Sequence, residues 1–166
     1  TNATNCSFLG GVNFRDSSTA GSATFTNTSS PGVFFHNLSS AGNAVINSQD
    51  SLFAQVLFYD GSTAANATIN NGDAAKVRFF DNATAAGARI DNIEEGELTF
   101  DESSTAANAI IVNNAGGGGT GNTQFRIFDQ NLSTGGVGFF GSSTAGAASI
   151  TNNAVGLLLF AETSSA

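Results

Sequence analysis

One phrase returns along this chain at near-constant spacing, and that periodicity restricts the possible folds more than any other feature. Aligned on a threonine or serine, it recurs at Thr19, Ser40, Thr63, Thr84, Thr105, Thr144 and Ser165, with steps of 21, 23, 21, 21, 39 and 21 residues. A period of about 20–50 residues signals a stacked architecture, in which each unit touches only its neighbours in sequence.

Reading down the alignment gives columns of like chemistry. Seven positions before the marker stand Val12, Val33, Val56, Val77, Leu98, Val137 and Leu158. Five before it stand Phe14, Phe35, Phe58, Phe79, Phe100, Phe139 and Phe160. Six after it come Phe25, Ile46, Ile69, Ile90, Ile111 and Ile150, and eight after it Asn27, Ser48, Asn71, Asn92, Asn113 and Asn152. The pairs Val-x-Phe and Ala-x-Ile alternate at period two, the spacing of strands. Abundant Ser, Thr, Asn and Gly work against helix interiors. No single unit buries its own Phe and Ile. Stacked in parallel, however, like residues lie about 4.8 Å apart and form continuous ladders.

The predicted fold is therefore all-β: a parallel β-solenoid, or β-helix, of about eight rungs with a period of about 21 residues. It forms one domain over 1–166, read as a segment of a longer or end-to-end continued array. Asn tolerates left-handed backbone, and its amide bonds to the next Asn in a stack. The Asn column is accordingly expected to form a ladder along one corner.

Departures from the period predict local features. The step to Thr63 is two residues longer than its neighbours, absorbed around Gln49 to Gln55, where Leu52 and Phe53 suggest an enlarged corner that tucks an extra aromatic inside or against the wall. The 39-residue step reads as one ordinary rung plus a shortened one, with Gln124 to Asp129 as a degenerate Val-x-Phe strand. Before it, Ala115 to Gly121 is glycine-rich but lacks the Lys-Ser/Thr ending of a phosphate cradle, so it reads as a plain excursion. Thr1 to Gly11 read as the tail of an earlier rung, and the last rung stops within the phrase, so strand edges are expected to invite further strand addition.

The phrase at Phe139-Phe140-Gly141-Ser142-Ser143-Thr144-Ala145-Gly146-Ala147-Ala148-Ser149-Ile150-Thr151-Asn152 resembles repeats of large secreted bacterial surface proteins, autotransporter passengers and adhesin-like proteins among them. That resemblance implies a right-handed parallel β-helix and a place on the bacterial cell surface. It implies no one activity, since such folds serve as adhesins, matrix components, spacers and enzymes.

Composition points the same way. The net charge of −8 argues against nucleic acid or an anionic membrane as partner. Charged residues make up 11% of the chain against about 25% in ordinary soluble domains, leaving a surface of Ser, Thr, Asn and Gly suited to an extracellular coat. Cys6 is the only cysteine, so no disulfide forms within the chain. No apolar run is long enough to insert in a bilayer as a helix.

The candidate chemistries are few. Asp16, Asn37, Asp60, Asp81, Glu102 and Glu162 share one column, which Gly141 interrupts; they read as solvated turn caps rather than a cation ladder. A second group, Asp91, Glu94, Glu95, Glu97, Asp101 and Glu102, lies near Arg78 and Arg89 and reads as a charged corner, with paired-carboxylate hydrolysis of a polysaccharide as the alternative. His36 has no partners for a catalytic or metal constellation and is expected on the surface. No catalytic, cofactor or metal residue is assigned. Phe34, Leu57, Tyr59, Phe80, Phe140 and Leu159 have the opposite strand parity to the core columns, so they predict an outward apolar stripe and a possible interface. The expected function is a non-enzymatic extracellular rod of a surface fibre, filament or adhesin. Its expected partners are further copies, end to end or side by side, or a surface glycan. The alternative is a carbohydrate-binding or polysaccharide-degrading β-helix. An ice-binding face fits less well, because the outward column Thr24, Val45, Thr68, Arg89, Ile110 and Ser149 is irregular.

Overall fold

The computed structural model describes residues 6–7, 11–28, 31–49, 53–115, 125–127, 130–132, 136–153 and 156–166. Its strands are β1 (Cys6–Ser7), β2 (Val12–Phe14), β3 (Thr24–Asn27), β4 (Val33–Phe35), β5 (Val45–Ser48), β6 (Gln55–Phe58), β7 (Thr68–Asn71), β8 (Lys76–Phe79), β9 (Arg89–Glu94), β10 (Glu97–Phe100), β11 (Ile110–Ala115), β12 (Phe125–Ile127), β13 (Gln130–Leu132), β14 (Gly136–Phe139), β15 (Ser149–Asn152) and β16 (Leu157–Phe160). Residues 1–5, Leu52 and the glycine run 116–121 lie outside the described residues, and with them the expectations placed there.

The strands form two parallel seven-stranded sheets. The isoleucine sheet runs β1-β3-β5-β7-β9-β11-β15, and the phenylalanine sheet runs from β2 through β4, β6, β8, β10 and β14 to β16. A third wall consists of single parallel bridges, from Thr19↔Ser40 through Thr63↔Thr84 to Thr144↔Ser165. Each coil is thus a strand, a turn, a bridge, a second turn and a second strand: a parallel β-solenoid.

Register places like on like. Val56 pairs with Val77 and Phe58 with Phe79 in one sheet, Ile69 with Ile90 and Asn71 with Asn92 in the other. Phe35, Phe58, Phe79, Phe100 and Phe139 are fully buried, as are Ile46, Ile69, Ile90 and Ile111. Phe14, Ile150 and Phe160, in the end coils, are half-buried. Neighbouring rings in the Phe column lie 4.6–4.8 Å apart, 3–8° from parallel. That spacing is the strand repeat itself, and it places the rings in the offset-stacked range that aromatic pairs favour. Each buried Phe, Val or Ile contributes about 1.5–3 kcal/mol by leaving water. Nearly all of it depends on the coils above and below.

The rung count differs from the expectation of about eight. Leu98 pairs directly with Val137, Phe100 with Phe139 and Thr105 with Thr144, so the 39-residue step is one coil carrying an excursion. Each sheet holds seven strands, about six turns. The segment read as a degenerate rung strand, β12, instead pairs antiparallel with β13 in a sheet of its own. Apolar alternation marks a strand but does not choose its partner; a partner two residues away closes at little entropic cost, while the column is already continuous without it. The longer corner before Thr63 also departs from expectation: Phe53 is 65% exposed rather than tucked inside.

Two tight corners flank each bridge. The first places Asp16, Asn37, Asp60, Asp81, Glu102, Gly141 and Glu162 in left-handed backbone, with φ between 53° and 65°. The second does the same to Gly21, Gly42, Ala65, Ala86, Ala107 and Gly146, with φ between 51° and 64°. There the marker hydroxyl accepts the N–H two residues on, as in Thr84 Oγ1 from Ala86 at 3.0 Å and Thr144 Oγ1 from Gly146 at 3.0 Å. This is why the marker is always Thr or Ser.

Candidate functional surfaces

The Asn column is internal. Asn27 donates to Ser48 Oγ at 3.2 Å, Asn71 to Asn92 Oδ1 at 2.7 Å, Asn92 to Asn113 Oδ1 at 3.0 Å and Asn113 to Asn152 Oδ1 at 2.6 Å. The same amides reach backbone carbonyls at the start of phenylalanine-sheet strands: Asn27 to Gln55, Asn71 to Glu97, Asn92 to Gly136 and Asn113 to Leu157, at 3.0–3.2 Å. Each Asn ties its own column to the opposite sheet, and satisfies polar groups that burial would otherwise penalise.

The acidic column binds across coils. Asp16 N–H donates to Asn37 Oδ1 at 3.1 Å, Asn37 N–H to Asp60 Oδ2 at 2.8 Å and Asp60 N–H to Asp81 Oδ2 at 2.9 Å. Asp81 N–H donates to Glu102 Oε2 at 2.9 Å and Gly141 N–H to Glu162 Oε2 at 2.7 Å. Each side chain therefore caps the corner of the coil before its own. The sequence reading had the caps but not their reach. The interchange of Asp, Asn and Gly was the available signal for left-handed backbone; nothing in it revealed the bond to the preceding coil.

The second acidic group does not converge. Asp91 sits in the isoleucine sheet, held by Arg89 through contacts of 2.7 and 3.0 Å. Glu97 belongs to the phenylalanine sheet and bridges Lys76 at 2.8 Å and Arg78 at 2.7 Å, its side chain 9% exposed. Glu102 caps Asp81. Asp101 accepts the Thr99 hydroxyl at 2.9 Å. Burial pushes its carboxyl above the ordinary range, Thr99 and Arg78 oppose that, and Glu97 and Glu162 add to it. Among the described residues no group of three His, Cys, Asp or Glu side chains gathers around a common point.

The outward column beside the Phe stack carries the aromatic stripe. His36 stacks on Tyr59 with centroids 5.0 Å apart, and Tyr59 on Phe80 at 5.1 Å, both within 9° of parallel. Burial raises the Tyr59 hydroxyl pKa, against the lowering effect of Arg78, and Asp81 adds to the rise. Phe34, Tyr59, Phe80, Phe140 and Leu159 are half-buried rather than exposed. Leu57 is only 7% exposed despite its outward parity. Its register neighbours are Phe34 and Arg78, both longer side chains that shield it from either side. The stripe is narrower in solvent than parity alone predicts. The large apolar residues that stand out instead are Leu38 at 69%, Phe53 at 65% and Ile110 at 48%.

No protein-family model, curated protein or solved structure matches this chain, so the coil geometry and the columns described above carry the functional argument.

Proposed function

We propose that this chain is a non-catalytic structural protein of an extracellular surface: a stiff β-solenoid segment of a surface fibre, filament or adhesin. The observation that carries the reading is the Phe column, which continues without a gap from Phe14 to Phe160. Side chains with chemical potential are occupied in the same way. The Asn amides and turn carboxylates bond coil to coil, and Glu97 is held between two cations. A wall with 11% charged residues, dressed in Ser, Thr and Asn, suits an exposed coat. The likeness of the repeat phrase to secreted bacterial surface proteins supports the same placement.

A glycan-binding role fits the stripe less well. Sugars pack on open aromatic faces, whereas the facing surfaces of the His36, Tyr59 and Phe80 rings are covered by one another. Antibodies to the chain applied to intact source cells test the proposal: label on outward projections is expected, and label only after permeabilisation overturns it. Cleavage of a polysaccharide by the purified protein would overturn the non-catalytic part.

A further inference from the structure

The two ends of the solenoid are offset by one strand. At one end β1 lies beneath β3, so the isoleucine sheet reaches a coil lower than β2, the outermost strand of the other sheet. At the opposite end β16 and Ser165 stand one coil above β15, the last strand of the isoleucine sheet. The surplus strand at one end matches the recess at the other.

The side chains at the two ends match as well. Phe14 and Phe160 are half-buried, whereas the five Phe rings between them are fully buried. Val12 and Leu158 bear the same relation to the aliphatic column. The turn column supplies a polar counterpart. The Asp16 carboxylate caps no N–H among the described residues, while the Glu162 N–H meets no carboxylate there. One end holds a spare acceptor and the other a spare donor, in the same column.

We propose that a second copy of this chain docks head to tail on β16 and Ser165, extending the solenoid without a break. The inference rests on the structural-rod reading above and names the partner of that rod. In the joint, β1 of one copy enters the recess over β15 of the other. Phe14 continues the stack on Phe160, Val12 covers Leu158, and the Asp16 carboxylate accepts the Glu162 N–H. Such a contact is heterologous and does not close on itself, so it generates a filament rather than a dimer. With seven strands of each sheet per copy, the axial repeat is about 34 Å at about 4.8 Å per strand.

The test is sedimentation velocity with electron microscopy on the 166-residue chain and two end variants, Phe14→Lys and Phe160→Lys. The parent is expected to form filaments that lengthen with concentration. Each variant alone should stay monomeric, with an unchanged far-UV circular dichroism spectrum showing that it folds. Mixed together, the two variants should form a dimer and nothing longer, because each keeps one intact end. A folded parent that stays monomeric at every concentration overturns self-docking, and leaves the surface-rod reading to the labelling of intact cells. Filaments that form equally well from either variant also overturn it, since they would require another contact.

Discussion

Asn71 donates its amide to Asn92 Oδ1 at 2.7 Å and to the Glu97 carbonyl at 3.0 Å, joining two coils and two sheets through one buried side chain. Asn92 repeats the arrangement with Asn113 Oδ1 at 3.0 Å, Gly96 O at 2.9 Å and Gly136 O at 3.2 Å. Every acceptor around its nitrogen is an oxygen.

Asn92→Asp should therefore lower stability by about 3 kcal/mol or more at pH 7, since it buries a charge among oxygens. The introduced carboxyl has its folded pKa raised above the unfolded value. Its cost is fully present at neutral pH and fades as pH falls towards about 4, where both states bind the proton. Denaturant titrations of parent and variant across that range check the prediction; a pH-independent loss would contradict it.

Phe79→Ala removes a fully buried ring from the middle of the column, with neighbours at 4.6 and 4.8 Å. A loss of about 3–5 kcal/mol is expected from the cavity and the lost burial. Phe14→Ala, in a half-buried end position, should cost less than half as much. Midpoints of chemical unfolding give the comparison.

The second corner separates two effects of glycine. Ala86 adopts φ 51° where Gly21, Gly42 and Gly146 occupy the same column, so Ala86→Gly should gain up to about 1 kcal/mol by relieving left-handed strain. Gly32 is the opposite case: at φ 111°, an added Cβ would lie 2.2 Å from the Gln55 carbonyl oxygen. Gly32→Ala should cost about 4 kcal/mol or more, because the neighbour is backbone and cannot step aside. Thermal melts of the two variants should shift in opposite directions.

Asp101 offers a test of burial on the outer wall. Its folded pKa is raised, chiefly by burial, so the charged form weakens the fold once pH rises through that value. Asp101→Asn should raise the melting temperature at pH 7. The gain should vanish below the ordinary carboxylate range, where the native side chain is protonated in both states.

The solenoid was legible because stacking writes the same residue into the same offset. Val, Phe, Ile and Asn each mark one column, and the register repeats those columns pair by pair. The excursion was not legible, since Phe125–Ile127 alternates like a rung strand yet finds Gln130–Leu132 as partner. The burial of Leu57 was also hidden, because strand parity gives the direction of a side chain but not the length of its neighbours. The turn carboxylates were readable as caps from their column. Their bond to the preceding coil required coordinates.

That backward bond gives synthesis a direction. The Asp60 N–H stays open until Asp81 arrives, and the Asp81 N–H until Glu102 arrives. A chain delivered amino end first, from a ribosome or through a narrow pore, fastens each finished coil by the next one to emerge. Growth then behaves as a ratchet: completed layers resist slipping back, and only the newest layer remains loose.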